Sequence, residues 1–155
     1  MTVDVRTVEN RPPPSNMGGT KIHPLNSAKQ SGNHLRSLVV DDDHMILKFV
    51  ARMLTILGFQ GVDTAQKQPE VVRMLATGPY DLIVTDLEMP DMNGYHLTHR
   101  IKRQMQDTNV IIMTGRHKDE CLELMASRWV DGWLFKPFGL NELRDMIRLL
   151  GLLKN

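Results

Sequence analysis

The stretch Asp81-Leu82-Ile83-Val84-Thr85-Asp86-Leu87-Glu88-Met89-Pro90 decides how the rest of the chain is read. Leu82, Ile83 and Val84 form an unbroken apolar run, the pattern of a parallel strand covered on both faces. The run ends on Asp86, and Pro90, which carries no amide hydrogen, cannot extend the pairing. In a parallel α/β sheet, ligands bind in the crevice at the carboxyl ends of the strands. Asp86 at that end is either a reactive group or the cap of the helix that follows, and this stretch alone leaves both open.

Working outward, Leu35 to Val40 is a second strand-like run, ending in Asp41-Asp42-Asp43. Met45, Ile46, Phe49, Val50, Met53, Leu54 and Leu57 then recur at three- and four-residue spacing, which predicts an amphipathic helix stopped by Gly58. Gly61 to Ala65 forms a short strand, and Pro69 opens a helix with Val71, Val72, Met74 and Leu75 inward. Beyond the opening stretch, a helix from Gly94 to Gln104 turns Leu97 and Ile101 inward. Asn109 to Met113 is an apolar strand ending on Thr114-Gly115, followed by a helix from Lys118 to Ser127. Gly132 to Phe135 is the last strand, ending on Lys136-Pro137, and Leu140 to Leu153 the last helix, with Leu143, Ile147 and Leu150 on one stripe. Strict alternation of strands and helices predicts an α/β fold: a parallel sheet, doubly wound, with helices on both faces.

The ends of these strands carry the chemistry. Asp41 and Asp42, Asp86, Thr114 and Lys136 all fall on one edge of such a sheet, although they are far apart in sequence. Three carboxylates in one crevice repel one another, and a divalent cation relieves that repulsion. Mg²⁺, which takes a few carboxylate oxygens and keeps waters, suits this set better than Ca²⁺. Lys136 offers a compact positive charge, Thr114 a hydroxyl and Gly115 an amide that a ligand can approach closely. Together they suit a carboxylate attacking a phosphoryl group.

Composition narrows the classes. The 155 residues suggest one domain with a substantial core. With 19 basic and 18 acidic residues, no global charge argues for nucleic acid or membrane binding. One cysteine excludes an intramolecular disulfide framework, and neither a membrane span nor a signal-peptide core is present, so a cytoplasmic protein is expected. Residues 1–35 are poor in apolar residues and carry Arg11-Pro12-Pro13-Pro14-Ser15 and Met17-Gly18-Gly19, as expected of a flexible tail before a domain over 36–155.

Val39-Val40-Asp41-Asp42, Asp86-Leu87-Glu88-Met89-Pro90-Asp91-Met92-Asn93-Gly94, Met113-Thr114-Gly115 and Lys136-Pro137-Phe138, in that order, resemble a response-regulator receiver domain of the CheY-like family. The resemblance covers residues 36 to about 153 and implies five strands in the order 2-1-3-4-5. It implies that Asp86 becomes an aspartyl phosphate, that Asp42 binds Mg²⁺ directly and Asp41 through water, and that the Glu88 carbonyl completes the protein's share of the shell. Thr114, Lys136, Leu87 and Gly115 would contact the phosphoryl group. The donor would be a phosphohistidine on a sensor histidine kinase or a histidine phosphotransfer protein. The protein would be a phosphoacceptor switch rather than a turnover enzyme.

Because only two or so residues follow the last helix and the leading tail is short, a stand-alone receiver is expected. Its output would be protein binding, onward phosphotransfer or a homodimer through the fourth helix, last strand and last helix. Met146, Leu149 and Leu153 form a second apolar stripe on that last helix. Trp133 stands where the family usually has Tyr or Phe, either as an inward-swinging switch residue or fixed at the surface. Trp129 replaces a common glycine, which predicts a reshaped Arg128–Asp131 loop. Glu88 and Arg116, two residues beyond Asp86 and Thr114, are expected to pair across the site mouth and slow hydrolysis. His96 and His99 lack a third ligand for a metal site, His44 reads as a helix-start residue, and Cys121 reads as packing. Two alternatives of another class are set against this. A haloacid-dehalogenase-type phosphatase would carry Asp where Glu88 stands, and a flavodoxin-like cofactor module would not place Asp41-Asp42-Asp43 against a phosphate. Within the family, a receiver that binds without phosphorylation is the remaining alternative.

Overall fold

The computed structural model describes residues 34–154. Five strands, β1 (Arg36–Val40), β2 (Gly61–Ala65), β3 (Leu82–Asp86), β4 (Asn109–Thr114) and β5 (Gly132–Phe135), pair in parallel in the order β2-β1-β3-β4-β5. The helices between and after them are α1 (His44–Ile56), α2 (Gln68–Leu75), α3 (Gly94–Gln104), α4 (Leu122–Met125) and α5 (Leu140–Leu149). This is the flavodoxin-like order that the resemblance implied. The expected tail lies, up to residue 33, outside the described residues. Leu35, placed at its end, is instead core: it is buried, and its carbonyl accepts hydrogen bonds from the Gln60 and Gly61 amides.

Successive side chains on a strand point to opposite faces, so each apolar run feeds two layers. Val39, Val84, Ile111, Met113 and Leu134 pack against Leu47, Val50, Met53 and Leu54 of α1 and Leu143 and Ile147 of α5. On the other face, Leu38, Val40, Ile83 and Val110 meet Val71 of α2 and Leu97 and Ile101 of α3. Leu87, Ile112 and Cys121 form a third cluster, with Leu124, Met125, Trp133 and Phe135 against it.

The structure differs from the sequence-based expectation in the outer helical turns. Met45 and Phe49, expected to be inward on α1, are 69% and 49% exposed, and Leu47 takes the buried place. Val72 of α2 is likewise largely exposed, while Val71 is buried. The helix expected over Lys118–Ser127 is one 3₁₀ turn, Lys118–Cys121, followed by the single α turn of α4. The final helix stops at Leu149 and not at Leu153. Gly151 adopts φ +73°, the Gly151 amide donates to the Arg148 carbonyl and the Leu152 amide to that of Ile147, a Schellman stop that glycine allows without strain. The stripe expected on that helix is therefore divided. Met146 and Leu153 pack on the core, Met146 over Gly132, and Leu149 stays 82% exposed.

Candidate functional site

The register places the strand ends side by side. Val40 pairs with Thr85, Asp86 with Met113 and Thr114 with Phe135, so Asp41, Asp86, Thr114 and Lys136 emerge along one edge of the sheet. Asp86 is the last residue of β3 and is 8% exposed, and Asp41 is buried at 1%. The Lys136 ammonium donates to Asp86 Oδ1 at 2.7 Å and to Asp41 Oδ2 at 3.0 Å. The remaining oxygens are met by backbone amides: Glu88 donates to Asp86 Oδ2 at 2.9 Å, and Asp43 to Asp41 Oδ1 at 2.8 Å.

The electrostatics follow from this packing. Burial pushes the Asp41 carboxyl above its ordinary value, and neighbouring Asp86 adds to the rise, against the opposing pull of the Asp43 amide and Lys136. For Lys136, burial acts to lower the pKa, but the bonds to Asp86 and Asp41 outweigh it and hold the ammonium above its usual range. The crevice therefore keeps one cation between two carboxylates.

The acidic triplet divides into three roles. Asp41 enters the crevice, and Asp42 is exposed at its rim, with its carbonyl accepting from Gln66 Nε2. Asp43 caps α1 through Oδ1, which accepts from the Met45 and Ile46 amides, so the His44 that follows is the first helical residue. The cap of α3 is Asn93, whose Oδ1 accepts from the Tyr95 and His96 amides. Asp86 is thus not a helix cap, and its carboxylate is left to the crevice.

Around this centre, Thr114 is buried, and its hydroxyl accepts from the Arg116 amide at 3.1 Å. Gly115 is exposed beside open space. Leu87, expected to contact a phosphoryl group, has its amide committed to the Met113 carbonyl at 2.9 Å, and its side chain lies in the core. The amide that faces the Asp86 carboxylate belongs to Glu88 instead. The Glu88 carboxylate pairs with the Arg116 guanidinium across the mouth, and that contact lowers the Glu88 pKa and raises that of Arg116.

Further from the crevice, Trp133 is half-buried on the α4-side cluster and stacks on Phe135, with ring centroids 6.5 Å apart. Trp129 sets its ring against His99 edge-on at 4.7 Å, so the loop covers part of α3. Cys121 is buried among Leu87 and Ile112, and burial raises its thiol pKa.

Gly94, expected only to open a helix, also shapes this site. A β-carbon there would stand 2.0 Å from the Asp86 carbonyl oxygen, and the Gly94 amide donates to the Leu87 carbonyl at 2.8 Å. The start of α3 is thereby pressed onto the backbone that carries Asp86. A glycine opening a helix was the available signal.

A doubly wound sheet that presents carboxylates, an ammonium and a hydroxyl at its carboxyl edge defines a class of α/β proteins with chemistry at strand ends. The profile described as response regulator receiver domain matches residues 37–148, and the chain belongs to that family. It is 36% identical over 110 residues to the DNA-binding transcriptional regulator NtrC of Azospirillum brasilense, covering 71% of this chain and 23% of that protein. It is 29% identical over 116 residues to the chemotaxis protein CheY-3 of Vibrio cholerae, covering 74% of this chain and 89% of that one. Among solved structures, the response regulator TrrA of Thermotoga maritima, in complex with Mg²⁺-BeF, aligns with a TM-score of 0.66 at 28% identity, over 75% of this chain and 98% of that one. The chain thus spans under a quarter of the NtrC relative and most of CheY-3 and TrrA. Receiver domains of this family act as phosphorylation switches in two-component systems. Among the described residues, no helix is long and apolar enough to cross a membrane.

Proposed function

We propose that Asp86 accepts a phosphoryl group from a phosphohistidine, on a sensor histidine kinase or a histidine phosphotransfer protein. The observation that carries this is the single Lys136 ammonium bridging Asp86 and Asp41, at 2.7 and 3.0 Å. In the transfer, an Asp86 carboxylate oxygen attacks phosphorus. The phosphorus–nitrogen bond breaks, its electron pair returns to the imidazole, and an acyl phosphate remains on Asp86. Lys136, already in contact with Asp86, stabilises charge on the phosphoryl oxygens, and the Thr114 hydroxyl and the Gly115 and Glu88 amides are the donors available beside it.

The donor set suits Mg²⁺. Among the described residues, no three His, Cys, Asp or Glu side chains gather into a cage. Mg²⁺ needs no such cage, since it takes one or two carboxylates and keeps its waters. Asp41 and Asp86 meet on one ammonium, Asp42 stands at the rim, and all the donors are hard oxygens. Asp41, Asp42, Asp86 and the Glu88 carbonyl would hold the ion, which when bound supplies positive charge to the phosphoryl oxygens.

Residues 36–155 form the receiver. Phosphorylation biases the surface of α4, β5 and α5 through Thr114 and Trp133, and that surface binds a partner protein, a second copy or the next phosphotransfer component in the cytoplasm. Leu122 of α4, 56% exposed, and the exposed Leu149 of α5 support a contact face there. The reaction is tested by incubating the protein with Mg²⁺ and a small acyl phosphate and measuring intact mass. The wild type gains one phosphoryl group, whereas Asp86→Asn, or the wild type with chelator, gains none. No gain in the wild type with any donor contradicts the proposal.

A further inference from the structure

Away from the crevice, a groove of about 260 Å³ runs between α2 and α3. Its apolar lining includes Val71, Val72, Leu75 and Met92, and Val72 is 43% exposed there, although the residue before it is fully buried. Cofactor and drug-sized pockets occupy roughly 300–1,000 Å³, so this groove suits one or two side chains of a polypeptide better than a small molecule.

The α3 side of the groove is one-sided in charge. From Met92 to Gln106 the chain has no acidic residue, yet α3 carries Arg100, Lys102 and Arg103 together with His96 and His99. Lys102 is neutralised by Asp131 at 2.6 Å, but among the described residues Arg100 and Arg103 have no ion-pair partner. Arg100 lines the groove, and Arg103 lies three residues on, one turn further along the helix. Asp91 also lines the groove, from the loop before α3. Arg100 lies some 10 Å along the axis from the cap residue Asn93, at about 1.5 Å per residue, so acid and base mark opposite ends.

We infer that the α2–α3 groove docks an acidic amphipathic segment of a partner protein. An aliphatic side chain of that segment enters between Val72 and Met92, and its carboxylates lie over Arg100 and Arg103. The apolar floor alone would accept many segments. The two unpaired guanidiniums select one whose carboxylates follow its apolar anchor.

The test uses the full chain and two fluorescein-labelled peptides of equal length, each with a central leucine pair flanked by Glu in one and by Lys in the other. Anisotropy titration gives saturable binding of the Glu peptide, at least tenfold tighter than the Lys peptide. Amide shift changes map to α2, Met92 and α3. Arg100→Glu with Arg103→Glu weakens the Glu peptide at least tenfold while thermal melting stays unchanged, since both side chains project from the helix surface. Absence of saturable binding, binding indifferent to the double substitution, or shifts confined to the Asp86 crevice or the Leu149 surface would each overturn the inference. So would a labelled oligonucleotide binding more tightly than the Glu peptide with the same arginine dependence, because the stripe would then serve nucleic acid.

Discussion

Gly94 lies against the Asp86 carbonyl so closely that a β-carbon at position 94 would stand 2.0 Å from that oxygen. The obstacle is backbone, not the flexible end of a side chain, so it cannot yield without moving β3 or α3. Gly94→Ala is therefore expected to destabilise the protein by about 1–3 kcal/mol, the usual cost of overpacking. It should also slow phosphorylation of the fraction that folds, because the shift falls on Asp86, the proposed acceptor. Chemical denaturation and single-turnover phosphorylation check the two effects separately. An Ala variant of wild-type stability and rate would contradict this packing.

Lys136→Met removes the cation from between two carboxylates while keeping most of the side chain's length. Phosphorylation by an acyl phosphate is expected to fall at least tenfold, with folding retained because the crevice is partly open to water. Far-ultraviolet circular dichroism and the intact-mass time course measure both. An unchanged time course would remove Lys136 from the chemistry.

The Glu88–Arg116 pair is exposed, with side chains 54% and 41% accessible, so its contribution to stability is small. Its place across the mouth of the crevice predicts a kinetic role. Glu88→Gln and Arg116→Ala are each expected to accelerate loss of the phosphoryl group severalfold and to leave the melting temperature unchanged. Equal dephosphorylation rates in both variants and the wild type would show two solvated charges and nothing more.

Ser37 presents the one buried side-chain oxygen among the described residues that has no hydrogen-bond partner. Its desolvation is uncompensated in the folded state, so Ser37→Ala removes a cost and almost no packing. Stability should stay within about 1 kcal/mol of the wild type or rise. A larger loss in urea unfolding would reveal a partner that the hydroxyl does have.

The sheet and its order were legible because each buried strand is an unbroken apolar run ending on a polar residue, as in Leu82 to Asp86. The convergence of Asp41, Asp86, Thr114 and Lys136 followed from parallel strands ending on one edge. Side-chain direction at helix margins was less legible. Met45 and Phe49 fit the same 3.6-residue period as Val50 and Met53, yet they sit where the stripe leaves the core. The end of α5 at Leu149 was hidden because Leu150, Leu152 and Leu153 continue the apolar pattern, while Gly151 decides the backbone. Which amide faces Asp86 could not be read from spacing either. Leu87 lies nearer in sequence, but β4 claims its amide and leaves that of Glu88 free to turn back.

Formation of an acyl phosphate on Asp86 itself is tested by chemical trapping. The protein is treated with Mg²⁺ and a small acyl phosphate and then reduced with borohydride, which converts an aspartyl phosphate to homoserine, and its peptides are sequenced by mass spectrometry. Homoserine is expected at position 86, with none at Asp41, Asp42 or Asp43. Reduction at another carboxylate, or a phosphate that survives borohydride on a hydroxyl or imidazole, would contradict it.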